Sequence, residues 1–319
     1  MSTQSGGNVA VCAVRGNFDD AQSAVKGIFA DEALSERLAA DCSTVLSSAN
    51  SINVGRLVPQ VVYYFVAYAQ LLSQQIINVG DEVEFCVPTG NFGDILAGYY
   101  ARRMGLPISK LTVASDRNNV LFDFLSTGVY DRNRDFFTTI SPSMDILISS
   151  NLERMLYYLS EGDTDLIAML MKELSVTGRY EIPATLKTAI GGIFDGGWAD
   201  EDQVKTAIRE CWDANHYVID PHTACGYHVM THTEADPLTP RVLLSTASPY
   251  KFPRVVNEAL GLDTPESDFS CMDVLSAATG TTAPKALRDL ESAEIRFHDV
   301  TDIDGMPRYV ESVAEQLNK

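Results

Sequence analysis

The run Val87-Pro88-Thr89-Gly90-Asn91-Phe92-Gly93-Asp94 reads as a strand that enters a glycine-containing turn and then a helix. Such a turn aims successive backbone N–H groups at one point, and the partial positive charge of a helix start adds to its attraction for an anion. The chemistry it suits is the binding of a phosphate group. It is not a nucleotide loop of the G-x-x-x-x-G-K-[S/T] kind, because the spacing differs and no Lys-Ser/Thr follows, and it is not G-x-G-x-x-G. An ordinary glycine turn with Asp94 in the first helical turn accounts for the same local pattern.

A second polar cluster, Ser48-Ala49-Asn50-Ser51-Ile52-Asn53-Val54-Gly55-Arg56, precedes a very apolar segment. Asn50, Ser51 and Asn53 with the Arg56 guanidinium form a cup suited to a carboxylate or phosphate. Capping of the following helix by Ser51 or Asn53 is the simpler role, and the two are compatible. His228 and His232 have the i, i+4 spacing that puts both on one helical face. No Glu follows the first of them as in H-E-x-x-H, so a solvated helix end is preferred to a metal site. His222 lies in Asp220-Pro221-His222-Thr223-Ala224, where Asp220 caps a helix with Pro221 in its first turn and so fixes the ring. No G-x-S-x-G is present and no cysteine sits beside an obvious base, which leaves serine and cysteine hydrolases without support.

The elements that must position these groups follow from periodicity. Residues 8–15 read as a strand, 18–31 as an amphipathic helix, 82–88 and 110–115 as strands flanking a helix over 95–104. Alternation of this kind predicts βαβ crossovers and a parallel sheet, with residues 1–130 in a doubly wound α/β layer. Helical patterns at 152–160, 165–177, 183–193 and 200–216 succeed one another without a strand signal, which suggests a helical insertion. A strand at 241–246, a helix at 252–260 and a late edge strand at 294–300 close the reading. Portions 1–150, 151–217 and 218–319 are therefore expected. Residues 57–72 are too short and too interrupted for a membrane span and read as a buried core helix.

With 319 residues, 45% of them apolar, the chain can bury one large core or two smaller ones. Its 43 acidic against 24 basic residues give a net charge of −19, which argues against nucleic acid or an anionic membrane as partner. Six cysteines form no C-x-x-C pair, so a reducing cytoplasm is the simplest compartment and no metal is expected. No leader peptide is visible in residues 1–8.

Taken in order, six blocks resemble threonine synthase, a pyridoxal-phosphate enzyme of the tryptophan-synthase-β-like fold. They are Gly16-Asn17-Phe18-Asp19-Asp20-Ala21-Gln22, Ser48-Ala49-Asn50-Ser51-Ile52-Asn53, Pro88-Thr89-Gly90-Asn91-Phe92-Gly93-Asp94, Ser141-Pro142-Ser143-Met144-Asp145-Ile146, Asp220-Pro221-His222-Thr223-Ala224 and Thr246-Ala247-Ser248-Pro249-Tyr250-Lys251-Phe252. The resemblance implies a three-layer α/β fold, and pyridoxal 5'-phosphate as cofactor, held at Gly90, Asn91, Phe92, Gly93 and Asp94 with Thr246 facing the pyridine nitrogen. It implies the family's lyase reaction in threonine biosynthesis, O-phospho-L-homoserine and water to L-threonine and phosphate, with Asn50, Ser51, Asn53 and Arg56 near the substrate phosphate. Where the family usually reads Ala-His-Pro-Ala-Lys-Phe, this chain has Ala247-Ser248-Pro249-Tyr250-Lys251-Phe252.

The departure is an absence. The family carries, in an N-terminal region, a Phe-Lys-Asp motif whose lysine forms the Schiff base, and none of Lys26, Lys110, Lys172, Lys187, Lys205, Lys251, Lys285 and Lys319 stands in one. That lysine holds the cofactor and moves protons off substrate carbons. The expectation is a C-terminal, N-terminally truncated portion, inactive alone, with the missing segment as a partner. The alternative is a non-catalytic module that binds a phosphate ester or a partner subunit.

Overall fold

The computed structural model describes every residue except 17, 50–52, 235, 318 and 319, and leaves aside the side chains of Phe18, Asp19 and Gln22. Its strands are β1 (Cys12–Arg15), β2 (Val83–Pro88), β3 (Ile108–Ser115), β4 (Val129–Asp131), β5 (Arg179–Glu181), β6 (Phe194–Trp198), β7 (Arg241–Leu243) and β8 (Asp299–Asp302). The chain divides into two compact units, Met1–Ser48 with Lys285–Lys319, and Ala49–Pro284.

In the first unit β1 pairs in parallel with β8, Cys12 opposite Asp299. Ile28, Leu34, Leu38, Cys42 and Ala314 form its small core. The early strand is present, and the late strand lies at Asp299–Asp302, overlapping the expected 294–300 only at its end; the two pair with each other and not with the larger sheet. The expectation that residues 1–130 build one layer is corrected accordingly. Alternating half-burial along β1 shows which face is covered, yet its partner comes from the other end of the chain.

The second unit holds a four-stranded parallel sheet of order β6-β3-β2-β7. Val83, Phe85 and Val87 alternate onto one face of β2 and are fully buried with Leu111, Val113 and Phe194, while Cys86 and Ala114 face Val229 on the opposite side. Each large apolar side chain buried in this way contributes roughly 1.5–3 kcal/mol. Helices therefore cover both faces, as a parallel sheet requires.

β2, β3 and β6 advance in one direction and β7 then joins on the other side of β2, so the strand order reverses between β2 and β7. In open parallel sheets the crevice at the carboxyl ends of strands flanking such a reversal is where ligands bind.

Residues 152–216, which read as helices alone, also contain β5, antiparallel to β4, and β6, an edge of the main sheet. β6 escapes a pattern reading because its middle is Gly196-Gly197. A Cβ on Gly197 would meet Val229 at 2.6 Å, so the glycine admits the Pro221–His232 helix close against the sheet.

The apolar segment at 57–72 forms the helix Val61–Ser73, but it is not a buried core helix. Val61, Tyr64 and Tyr68 face inward, whereas Val62, Tyr63 and Val66 are 56%, 54% and 48% exposed. Only one helical stripe can reach the core, and a sequence apolar all round hides which stripe that is. Among the described residues no helix is long and apolar enough to cross a membrane.

Candidate anion-binding site at the sheet switch point

Thr89 extends the β2–β3 ladder by donating its N–H to Ala114 O at 2.8 Å, and the chain then leaves the sheet. Phe92 is fully buried and adopts a left-handed conformation, φ 59°, immediately before the helix Gly93–Arg103. That turn points the helix start back across the carboxyl end of β2.

Three carbonyls of the turn are engaged. Ser149 Oγ donates to Gly90 O at 2.9 Å, and Asn151 donates to Asn91 O through its backbone N–H at 3.1 Å and its Nδ2 at 2.7 Å. Phe92 O accepts the Leu96 N–H at 3.3 Å. Because N–H and C=O of one trans peptide point oppositely, the N–H groups of Asn91, Phe92 and Gly93 face away from these partners. They and those of Asp94 and Ile95 find no acceptor among the described residues. Unsatisfied N–H donors at a helix start are suited to an anion.

The space at Gly90 is tight. A Cβ there would lie 3.1 Å from Met144 Cα and 3.2 Å from Ser143 O, both backbone atoms. Asp94 caps no N–H of its own helix; Tyr64 OH donates to Asp94 O at 2.8 Å and lies 3.3 Å from its Oδ1. Burial pushes the Asp94 carboxyl up to about 6, against the smaller lowering effect of Tyr64.

On the other side of the switch, Leu244 continues the β2–β7 pairing by donating to Cys86 O at 3.0 Å. Thr246 follows the end of β7 by three residues, as Thr89 follows the paired Cys86 on β2. Thr246 is exposed and donates its N–H to Thr223 Oγ1 at 3.3 Å. Thr223 in turn donates to the fully buried Asp220, whose other oxygen accepts the His222 N–H at 2.9 Å and faces His222 Nδ1 at 2.8 Å. Ser143 donates its N–H to His222 Nε2 at 3.1 Å, so the ring proton resides on Nδ1 and goes to Asp220. The Asp-Pro cap at 220–221 is present, with Pro221 at the helix start.

The other predicted residues are placed as follows. Asn53 caps the short helix Val54–Leu57 by accepting the Gly55 N–H at 2.9 Å, and Arg56 is exposed on that helix, which packs against Gly93–Arg103. Asn50 and Ser51 lie outside the described residues. Periodicity and motif matching missed Ser149 and Asn151; Thr223 lies in the 220–224 block but was given no role there, and the Ser141 to Ile146 block was the available signal for Ser143 and Met144.

The fold is a parallel α/β sheet with unpartnered backbone N–H groups, among the described residues, where its strand order reverses. Residues 223–310 match the family model described as "Threonine synthase, C-terminal". The chain is 37% identical over 330 residues to a threonine synthase of Eremothecium gossypii, an alignment covering 98% of this chain and 60% of that protein. It is 43% identical over 248 residues to human threonine synthase-like 1, covering 77% of this chain and 33% of the relative. Its fold matches a pyridoxal-phosphate-bound threonine synthase from Brucella melitensis with a TM-score of 0.78 at 36% identity, over 98% of this chain and 61% of that one. The chain thus spans from a third to about three-fifths of the length of these relatives. Sequence and fold agree that it is related to the C-terminal part of threonine synthases.

Proposed function

We propose that this chain holds the phosphate of pyridoxal 5'-phosphate in the 90–94 turn and serves the conversion of O-phospho-L-homoserine and water to L-threonine and phosphate. The observation that carries this reading is the set of N–H groups from Asn91 to Ile95 left without acceptors at the β2/β7 switch point. The residues fit the cofactor's phosphate: the donors are free, the helix start favours negative charge, and Gly90 keeps the wall close. When bound, the cofactor supplies an electron sink for charge that develops on substrate carbons.

The chain's own residues bind and orient. Ser149 and Asn151 hold the turn's carbonyls aside, and Thr246 offers a neutral hydroxyl for the pyridine nitrogen. Asn53 and Arg56, with Asn50 and Ser51, are assigned to the substrate's phosphate.

A second reading, binding without turnover, is supported by four lysines that are already engaged. Lys110, Lys205 and Lys285 each pair with a carboxylate, Asp195, Glu258 and Asp289, and Lys251 lies over the Phe252 ring at 5.4 Å. Calorimetry with pyridoxal phosphate, inorganic phosphate as competitor, and intact mass after borohydride treatment test both. Binding that phosphate displaces is expected; its absence overturns the phosphate assignment. A single mapped lysine adduct favours turnover, whereas binding without an adduct favours the second reading.

A further inference from the structure

Two buried carboxyl groups meet at one hydroxyl beside the site. Asp116, which directly follows β3, is 2% exposed and Asp145 is 5% exposed. Thr139 Oγ1 lies 3.1 Å from Asp116 Oδ2 and 2.7 Å from Asp145 Oδ1, and it also accepts the Ser141 N–H at 3.0 Å. A hydroxyl has one hydrogen and two lone pairs. With one lone pair filled by Ser141 and the hydrogen given to one carboxylate, the other carboxyl must itself be the donor.

Asp145 already receives Asn118 Nδ2–H at 3.1 Å and the Thr139 N–H at 2.9 Å. Among the described residues, Asp116 receives, besides its contact with Thr139, only the Asn118 N–H, at 2.8 Å on Oδ1. The proton therefore belongs on Asp116 Oδ2, which donates to Thr139, which donates to Asp145. Thr139 and Asp145 are the two ends of the 139–145 loop and close it on itself. Its interior carries Ser143 and Met144, the backbone wall behind Gly90.

We propose that Asp116 is a positioning residue that works as a neutral acid, latching the closed 139–145 loop to the end of β3 and so setting the wall of the phosphate turn. The role rests on the phosphate reading of that turn. Burial foremost, and then the neighbouring Asp145, push the Asp116 carboxyl up to about 8. The groups facing it supply no bonded cation among the described residues. Cys225 on the Pro221–His232 helix is a thiol raised by burial that touches Ser141 Oγ at 3.7 Å, and Asp220 and His222 of that region bond each other. Glu201 accepts the Ile140 N–H, the Arg117 guanidinium lies over the Phe137 ring, and Arg134 is given to Asp123. Loss of the acid's proton would set two like charges on one hydroxyl and loosen the loop.

The test is amide hydrogen exchange of the whole chain at pH about 6.5 and about 9.5, corrected for intrinsic rates, with pyridoxal phosphate affinity measured at the same two values. Protection of the Thr139, Ser141 and Met144 amides should fall about tenfold or more in the wild type at the higher pH. Asp116→Asn, whose amide donates in the acid's place, should keep its protection at both. Affinity for pyridoxal phosphate should follow the same pattern. Unchanged wild-type protection, or an Asp116→Asn chain that loosens in step with the wild type, overturns the latch. Absence of binding by either chain at either pH overturns the phosphate reading and the positioning role with it, while the exchange data still show whether the loop is latched.

Discussion

Ser143 donates its backbone N–H to His222 Nε2 at 3.1 Å, while its carbonyl lies 3.2 Å from where a side chain on Gly90 would begin. One residue thereby ties the turn after β2 to the capped helix whose Thr223 holds the Thr246 backbone. Ser143 thus contacts both the turn and the helix start, and a change at one is expected to reach the other.

His222→Ala should show this coupling. The substitution removes a donor from the fully buried Asp220 and an acceptor from Ser143, and it deletes a ring packed 4.9 Å from that of Phe252. A loss of about 1–3 kcal/mol in urea denaturation is expected, with several-fold weaker pyridoxal phosphate binding. Stability and affinity equal to those of the wild type would show that the ring ties nothing.

Gly90→Ala probes the cradle itself. The new methyl would press on Met144 Cα and Ser143 O, backbone atoms that yield only if the loop moves. Affinity for pyridoxal phosphate should drop about tenfold or more, with about 1–3 kcal/mol lost in stability, read by calorimetry and thermal melting.

Asp94 predicts a pH dependence whose sign can be worked out. Burial raises its folded-state value to about 6, above the unfolded value of about 3.9. The folded chain therefore holds more protons between these values, and this contribution to stability falls as pH rises from about 4 to about 6, then levels. The Asp94→Asn chain, which does not titrate, should lack that component. Denaturation midpoints of the two chains across this window should diverge with rising pH in favour of the variant; parallel curves would contradict the assignment.

The half-exposed valines of the Val61–Ser73 helix make a prediction about surface chemistry. Val62→Glu with Val66→Glu touches no buried contact, so stability should stay within roughly 0.5 kcal/mol. Binding of an apolar dye and any light scattering at high concentration should decrease, because the two changes interrupt a contiguous apolar ridge. A marked loss of stability would mean that the ridge is covered.

Much of the site was legible in particular residues. Val83 to Val87 alternate as a strand must, the glycines at 90 and 93 mark a turn, and Asp220-Pro221 announces a helix start that the structure contains. Other parts carried no local signal. Gly196 and Gly197 carried no strand signal, yet they lie in a strand, and their missing side chains let neighbouring helices pack close. Asp116 and Asp145 look like ordinary loop acids until Thr139 is seen between them.

By itself the sequence determined local form: which faces are apolar, where N–H groups are freed by a turn, and which residues cap helices. These depend on side-chain periodicity and short-range hydrogen bonding, which a few consecutive residues encode. Only the tertiary structure decided that β7 joins β2 rather than β6, that β1 pairs with β8, and that Ser143 reaches both Gly90 and His222. A strand's pattern records which face is buried and says nothing of which strand lies beside it. The chain ends that carry the 90–94 turn and Thr246 are neighbours because of that adjacency.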